Sequence, residues 1–262
     1  MDVKTGKPVI MEVPAPSCKK NGIVVETIYS LVSAGTERML MDFGKKSLIG
    51  KAKERPDQVK KVMDKMKTDG ALTTIKAAFG KLGEPLPLGY SSVGKVLEVG
   101  SNLSDIKPGD YVACAGLSAT HSEVSYVPKN LFVKLSNNIQ DLREAAFVTL
   151  GTVAMQGVRQ AEVRFGDWVA VIGMGLLGQI STRILKAAGC KIIGIDVDNS
   201  KEELAIRDKH YSYIDAFVNS SEENTIEKIM TLTGYGCDSI IITAATYSNK
   251  TIALSRVIKC LI

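Results

Sequence analysis

The most constraining stretch of this sequence is residues 168–201, WVAVIGMGLLGQISTRILKAAGCKIIGIDVDNSK. Residues 169–172 form a short, apolar, β-branched run, which is typical of a buried parallel strand. A glycine-rich turn follows at once, and then a segment with helical periodicity reaches Ala188. A second apolar run, residues 192–195, ends in Asp196. The order of strand, glycine turn, helix, strand and acid therefore predicts two adjacent parallel strands joined by a helix.

The spacing of the glycines predicts a dinucleotide site. Gly173 permits the tight turn, Gly175 lets the backbone approach a pyrophosphate, and Gly178 lets the helix pack close to the strand. Asp196 lies 18 residues after Gly178, where a carboxylate would accept hydrogen bonds from the adenosine ribose. Because this carboxylate would repel a 2′-phosphate, NAD(H) is favoured over NADP(H). A purely structural glycine turn is the alternative, and it does not account for Asp196.

Lys201 follows Asp196 by five residues. Its ammonium could reach the other ribose hydroxyl, and the alternative is an ordinary solvated lysine. The cofactor contacts predicted from this stretch are Gly173, Met174, Gly175, Leu176, Leu177, Gly178, Asp196 and Lys201.

Length and composition fit a globular chain of two domains. The 262 residues are 45% hydrophobic and 23% charged, which allows a sizeable core. The net charge of +5 is uneven, because residues 45–67 hold nine Lys or Arg against three acids. Apolar residues in this block recur at helical spacing, so we interpret residues 45–82 as a solvated helical insertion. A nucleic-acid or membrane-surface patch is the alternative, but no aromatic stacking residues accompany the charges.

The five cysteines favour reduced thiols in a cytoplasmic protein. They are far apart, odd in number and form no CxxC pair. No apolar run reaches the length of a membrane span, and the N-terminus lacks a signal-peptide core.

The rest of the pattern predicts an α/β protein in which a barrel precedes a doubly wound parallel sheet. Short strands with Gly and Pro turns in residues 1–150 indicate a small barrel. These strands are predicted at residues 23–29, 93–99, 123–127 and 131–134, with a turn into a further strand at 107–116, followed by a helical region at 142–160 that breaks at 149–152. Residues 151–262 alternate strands and helices. After Asp196 we predict a helix at 201–209, a strand at 213–218, a helix at 225–232, a fourth strand at 239–243 and a helix from about 249 to the end.

Four segments, in order, resemble the medium-chain dehydrogenase/reductase superfamily, the alcohol-dehydrogenase-like proteins. AGTE at residues 34–37 resembles the family's C-G-T-D, and residues 89–100 resemble its G-H-E-x-x-G-x-V-x-x-V-G. KPGDYV at 107–112 resembles its K-P-G-D-R-V turn, and the glycine turn with Asp196 resembles its nucleotide fingerprint. The resemblance implies a GroES-like barrel over residues 1–150, on the substrate side, and a Rossmann dinucleotide-binding domain over residues 151–262. It also implies hydride transfer between NAD(H) and a carbonyl or alcohol of a small molecule.

The sequence departs from the family at the catalytic zinc. Ala34 stands where the family has its first ligand, a cysteine, and Tyr90-Ser91 replaces the His-Glu of the second ligand. The region of the third ligand, residues 149–152, offers no Cys, His, Asp or Glu. Zinc typically needs four thiolate, imidazole or carboxylate donors. We therefore predict a zinc-independent member with no metal, and an ordinary zinc alcohol dehydrogenase is the less favoured alternative.

The lobe of four cysteines that binds structural zinc in the family is absent too. Cys114 and His121 alone cannot form such a site, and we interpret them as a core cysteine and a turn histidine.

Without zinc, another group must polarise or protonate the substrate oxygen. Thr36 matches the family's proton-relay Ser/Thr, so its hydroxyl is the first catalytic candidate. Tyr90 falls at the vacant ligand position, where a phenol could donate to the substrate, and a packed aromatic ring is the alternative. Glu37 is the third candidate.

The resemblance also places Thr243 and Ala244, with Ala245, beside the nicotinamide. The family's sheet has six strands in the order 3-2-1-4-5-6. Because only four are predicted here, the sheet is expected to be truncated after its fourth strand, which would remain an apolar edge. The chain is thus predicted to be a fragment.

SLVSAGTE, the basic insertion and EPLPLGYSSVG resemble the N-terminal part of bacterial bi-domain oxidoreductases. Those proteins carry a second, Gfo/Idh/MocA-type oxidoreductase domain, and many are associated with sugar metabolism. The implied partners are a small-molecule substrate, possible homo-oligomers and that second domain, missing from this chain. The alternative is a non-catalytic nucleotide-binding remnant.

Overall fold

A computed structural model of the protein describes residues 1–2, 5–46, 85–136, 138–208, 211–221, 224–244 and 260–261. The chain divides into two compact units, Met1–Val148 and Thr149–Ile262. Apart from residues 45 and 46, the predicted insertion at 45–82 lies outside the described residues.

The first unit is built on an antiparallel sheet of five strands. Its described strands and helices are β1 (Gly22–Ser30), α1 (Ala34–Lys45), β2 (Ser91–Val99), β3 (Tyr111–Ala115), β4 (Val124–Pro128), β5 (Phe132–Lys134) and α2 (Leu142–Ala145). The strand order is β4-β1-β2-β3-β5.

This sheet must curl, because its two outer strands are almost consecutive in the chain. Only the short helical turn Lys129–Leu131 separates β4 from β5. In a flat sheet, strands four places apart would be about 19 Å distant, whereas the four steps from Pro128 to Phe132 span at most about 14 Å. The curl encloses a core, in which the fully buried residues include Ile23, Val96, Val112 and Val127.

Cys114 belongs to this core, and burial raises the pKa of its thiol to about 12. The same cause raises the pKa of Cys237 to about 11. The thiolate is the reactive form. We therefore expect iodoacetamide at pH 8 to spare both thiols in the folded protein and to reach them after denaturation, as measured by mass spectrometry. Cys18, whose pKa burial also raises but not to a value as high as those of Cys114 and Cys237, is the internal control and should be modified first. Fast labelling of Cys114 before unfolding would contradict this expectation.

The second unit is built on a parallel sheet of five strands. The first helix, α3 (Val148–Gln160), begins one residue before the boundary between the two units. The elements that follow are β6 (Trp168–Ile172), α4 (Leu176–Ala187), β7 (Lys191–Asp196), α5 (Ser200–Glu203), β8 (Ile206–Asp208), β9 (Tyr211–Ser212), β10 (Ala216–Asn219), α6 (Thr225–Thr233), β11 (Ser239–Ile242) and β12 (Cys260–Leu261). The order is β10-β7-β6-β11-β12, and every described pairing in it is parallel. The prediction of a parallel sheet with the 169–172 run inside it is confirmed.

Strand order in this sheet reverses between β6 and β11. From β6 the chain moves outward on one side through β7 to β10, and then returns to the other side of β6 with β11. In open α/β sheets, ligands bind outside the carboxyl ends of the strands at such a reversal. The turn that follows β6 and the residues that follow β11 therefore mark the place to look for a site.

Four local predictions differ from the structure. The sheet does not stop at four strands, because β12 pairs with β11 at Ile241 and Ile242 and covers that part of its edge. The helix predicted from about residue 249 is a strand at 260–261, and its earlier part lies outside the described residues.

The other two differences concern short segments. The helix predicted at 201–209 is only the single turn α5, and the antiparallel pair β8 and β9 follows it. Tertiary contacts override the helical pattern here, since Ala205 and Ile214 are both buried. No break occurs at 149–152, because α3 runs through Gly151, and one helical glycine costs only about 1 kcal/mol.

Candidate functional site

The turn after β6 has a backbone that only glycine adopts easily. Gly173 has φ = +92°, and a Cβ at that position would lie 2.7 Å from the backbone nitrogen of Ala244. The N–H of Gly173 donates to the carbonyl of Ile195 at 2.8 Å. The turn is therefore fixed between the ends of β7 and β11.

Gly178 and Thr243 hold the start of α4 against this turn. The Thr243 hydroxyl donates to the carbonyl oxygen of Gly173 at 2.5 Å. A Cβ on Gly178 would collide with that same oxygen. The close approach that the sequence predicted for Gly178 thus has a structural partner, and Thr243 fixes the turn with its side chain as well as its backbone.

Gly175 differs from the other two glycines because it borders open space. It is the N-cap of the twelve-residue α4, with φ = −71° and ψ = −166°, and no side chain caps the helix there. A Cβ added to Gly175 would meet nothing within 4 Å. An uncapped helix N-terminus presents backbone N–H groups and a positive dipole end, which together suit a phosphate. Met174, Leu176 and Leu177 complete the turn, and Met174 has its side chain fully buried.

Asp196 binds the backbone of both neighbouring loops. Its Oδ2 accepts a hydrogen bond from Met174 N at 2.7 Å, and its Oδ1 accepts from Val197 N at 2.7 Å and Asp198 N at 3.2 Å. These bonds give the residue a structural role that the sequence did not reveal. A carboxylate has about four lone-pair positions, so acceptor capacity remains.

Lys201 pairs with a neighbouring acid. Its Nζ lies 3.2 Å from Asp198 Oδ2. Hydrogen bonds from Ser200, followed by that from Lys201, hold the pKa of Asp198 below its usual value. Gln179, whose role was not predicted, is buried and donates both to Met174 O at 3.3 Å and to Lys201 O at 3.0 Å. It thereby connects the glycine turn to the loop that follows β7. Ala244 ends the described part of this edge, and Ala245 lies outside it.

Two catalytic candidates of the first unit, Thr36 and Glu37, lie in the first turn of α1, and the third, Tyr90, directly precedes β2. Thr36 is exposed, and its Oγ1 is 3.3 Å from Ser33 Oγ, which donates to it. Glu37 is 5% exposed, and its Oε1 accepts from Ser33 N at 3.0 Å. Tyr90 is half-buried, and its carbonyl accepts from Gly116 N at 2.9 Å.

The structure adds His121 to this group. From the sequence, His121 was interpreted as a turn histidine. Its Nε2 lies 3.1 Å and 3.2 Å from the two carboxylate oxygens of Glu37, and its Nδ1 lies 2.8 Å from Ser30 Oγ. A Cβ on Gly89 would lie 2.9 Å from the His121 ring, so the imidazole packs directly beside the segment that leads into Tyr90. Sequence separation hid this cluster, because Glu37 and His121 are 84 positions apart in the chain.

Among the described residues, no group of three or more His, Cys, Asp or Glu side chains is arranged to hold a metal ion. Within the same ranges, no helix combines the length and the apolar character that crossing a membrane requires.

Comparison with known proteins gives relatives at the sequence level. No protein-family model matches the chain. D-guloside 3-dehydrogenase from Shigella flexneri is 30% identical over 171 residues, which are 65% of this chain and 47% of that protein. An alcohol dehydrogenase from Geobacillus stearothermophilus is 27% identical over 195 residues, and the match covers 62% of this chain and 58% of that protein. The chain spans about half the length of the curated relatives it matches.

Solved structures share the fold. An alcohol dehydrogenase from a Thermus species has a TM-score of 0.70 at 20% identity, covering 95% of this chain and 71% of that one. A protein described as a zinc-binding dehydrogenase, from Sinorhizobium meliloti and bound to NADP, has a TM-score of 0.67 at 18% identity. That match covers 93% of this chain and 69% of the other.

Proposed function

Because the chain belongs to the medium-chain dehydrogenase/reductase superfamily, we propose that it serves zinc-independent hydride transfer between NAD(H) and a carbonyl or alcohol group. The observation that carries this proposal is the open space at Gly175, at the N-terminus of α4 and beside the Asp196 carboxylate. A nicotinamide cofactor supplies or accepts the hydride when it is bound. The chain's own residues bind it, orient it and handle the proton.

Each unit has a proposed role. Residues 151–262 are the Rossmann dinucleotide-binding domain, in which the turn from Gly173 to Gly178 holds the pyrophosphate. Its observed strand order corresponds to 3-2-1-4-5 of that fold. Thr243 and Ala244 line the nicotinamide side, and Lys201 reaches the ribose. Residues 1–150 are the GroES-like, substrate-side domain, which the curled sheet supports.

The preference for NAD(H) rests on charge. Asp196 lies at the carboxyl end of β7, and the lone pair that its three backbone bonds leave can accept from a ribose hydroxyl. A 2′-phosphate at the same position would face the carboxylate at close range, and like charges repel. The bound NADP of the Sinorhizobium meliloti protein is a property of that protein.

Zinc independence rests on residue chemistry. Ala34 has no donor atom, and residues 149–152 carry only hydroxyl donors or none. Zinc takes Cys, His or carboxylate ligands, typically four. Thr36, Tyr90 and Glu37 are then the groups of the first unit that we propose for proton transfer and substrate polarisation.

The substrate that we propose is a small molecule with a secondary alcohol or ketone, of the sugar type. D-guloside 3-dehydrogenase, the relative at 30% identity, is named for such a substrate. A panel of a D-guloside, galactitol-1-phosphate and 2,3-butanediol would separate sugar from simple alcohol substrates, because relatives or structural neighbours are named for each.

Asp196→Ser tests the cofactor assignment. We expect the Kd for NADH to rise about tenfold, since one hydrogen bond to a charged group is worth roughly 1.5 kcal/mol or more. The Kd for NADPH should stay constant or fall, so that the ratio of the two affinities changes. Fluorescence titration with NADH and with NADPH measures this ratio.

Asp215→Ser is the matched control. The Asp215 carboxylate also accepts from a strand backbone, Ile192 N at 2.7 Å, and it pairs with Lys186. However, Ile192 lies near the amino end of β7, away from the proposed cofactor edge. This variant should lose stability without altering the NADH to NADPH ratio. If Asp196→Ser lost the same affinity for NADH and for NADPH, Asp196 would have only a structural role. A wild-type chain that binds neither cofactor would refute the proposed function.

A further inference from the structure

Gln179 has a buried polar side chain whose hydrogen bonds leave its own helix. The two other buried polar side chains of α4, Ser181 and Thr182, donate to carbonyls of the helix itself. Gln179 instead donates through Nε2 to Met174 O at 3.3 Å and to Lys201 O at 3.0 Å. Side chains on a helix tilt toward its N-terminus, so a residue near the start of α4 can reach the segments that precede it.

The amide of Gln179 can point in only one direction. A carbonyl oxygen only accepts, so the end that faces Met174 O and Lys201 O must be the NH₂ group. The other end, Oε1, accepts from Arg183 Nη1 at 3.0 Å, and a guanidinium only donates. Turning the amide over would break all three hydrogen bonds, so its partners fix its orientation.

Met174 is held by two side chains at once. Its N–H donates to Asp196 Oδ2 at 2.7 Å, and its carbonyl accepts from Gln179. Asp196 also accepts from Asp198 N at 3.2 Å, and Gln179 donates to Lys201 O. The glycine turn at residues 173–178 and the segment at residues 196–201 are therefore joined twice. Two separate ties fix the spacing between two segments, which one tie alone would leave free to vary.

Each of the two segments has other hydrogen bonds that do not involve Gln179. The glycine turn is held by the bond from Gly173 N to Ile195 O at 2.8 Å. The segment at 196–201 is held toward β10, because Asn219 Nδ2 donates to Asn199 Oδ1 at 2.8 Å. The particular contribution of Gln179 is therefore the distance between the segments.

We propose that Gln179 is a positioning residue for the cofactor, which fixes the distance between the glycine turn and residues 196–201 and so favours ligands that span both. The inference rests on the proposed function, which assigns the pyrophosphate to the first segment and the ribose to the second. The ligand class is a nucleoside with a 5′-diphosphate. Such a ligand binds most tightly when its two contact points are already correctly spaced, whereas a ligand that contacts one segment gains nothing from the spacing.

Gln179→Met tests this role with ADP and adenosine as probes. Methionine is unbranched like glutamine but donates no hydrogen bond, so it fills the space and removes the tie. Under the proposed function, adenosine contacts residues 196–201 alone, and ADP also reaches the glycine turn. We expect the Kd for ADP to rise about tenfold and the Kd for adenosine to stay within about twofold.

Isothermal titration with ADP and NMR titration with adenosine measure the two Kd values. If Gln179 only stabilised the domain, the Kd values for ADP and adenosine would change by the same factor or not at all. Either of those results would overturn the positioning role.

Thr182→Val is the matched control. Thr182 is fully buried in the same helix, and its hydroxyl donates to Gln179 O at 2.9 Å. Valine removes this buried hydrogen bond without touching either tie between the segments, so both Kd values should stay within about twofold of wild type. A selective loss of ADP affinity in Thr182→Val would mean that any change in α4 has this effect, and would overturn the assignment to Gln179.

Arg183→Met decides the question if Gln179→Met does not fold. Arg183 is exposed, so its replacement leaves the core intact. Its guanidinium orients the Gln179 amide and also donates to Leu204 O at 3.2 Å. We expect the Kd for ADP to rise about threefold, with the Kd for adenosine unchanged. An unchanged Kd for ADP in this variant would count against the positioning role as decisively as in Gln179→Met.

Failure of the proposed function would give a different result. A wild-type chain that binds neither NADH nor ADP would refute the proposed function and the positioning role together. Wild-type ADP affinity in Gln179→Met, with NADH bound by the wild-type chain, would refute the positioning role alone.

Discussion

Gly178→Ala is expected to lower the free energy of unfolding by about 3 kcal/mol, the upper range for overpacking in a rigid site. The added Cβ would collide with the carbonyl oxygen of Gly173 and approach Thr243 Oγ1 at 3.2 Å. Neither neighbour can yield freely, because Thr243 holds that same carbonyl and Gly173 N is bonded to Ile195. Chemical denaturation followed by circular dichroism measures the change.

Gly151→Ala is the matched control in the same unit. Gly151 also lies inside a helix, α3, but a Cβ there would meet nothing within 4 Å. Alanine should therefore stabilise the protein by about 0.5–1 kcal/mol, its ordinary advantage over glycine in a helix. If Gly178→Ala proved as stable as Gly151→Ala, the close packing of α4 on the turn would be wrong.

Gly175→Ala should have the opposite profile, a folded protein that has lost its cofactor. The backbone at Gly175 is in a region open to alanine, and the Cβ has free space, so the cost to stability should be about 1 kcal/mol or less. The same methyl group would fill the volume through which the helix N-terminus reaches a pyrophosphate. We expect the NADH affinity to fall about 100-fold, equivalent to about 2.7 kcal/mol.

Isothermal titration of Gly175→Ala and Gly178→Ala with NADH gives the two affinities, and denaturation curves of the same variants give their stabilities. Wild-type NADH affinity in Gly175→Ala would mean that no dinucleotide lies over this turn. A melting temperature that fell as far as in Gly178→Ala would instead mean that the open space is not available in solution.

The sequence was informative where structure depends on neighbours in the chain. The strand ending at Ile172, the helix to Ala187 and the strand ending at Asp196 follow from apolar periodicity and from the spacing of the glycines. Those patterns encode local geometry directly, since the close contact that requires glycine at position 178 lies within the same strand, turn and helix unit.

Long-range contacts were beyond that reasoning. His121 was assessed against metal chemistry and set aside, because its partners Glu37 and Ser30 are distant in sequence and meet it only in the folded sheet. The same limit applies to β8 and β9, where burial of Ala205 and Ile214 outweighs helical periodicity. Asp196 was expected to face a ligand, and its bonds to three backbone N–H groups could not be predicted before the loops were in place.

The anchoring of the glycine turn has an energetic consequence for any ligand that it accepts. Gly173 is tied to Ile195 and Thr243, and Met174 is tied to Asp196, with no ligand needed to order them. A pre-organised backbone has little conformational entropy left to lose on association, so more of the interaction energy becomes affinity. The turn already has its binding conformation, because the conformational entropy of ordering it was lost when the domain folded.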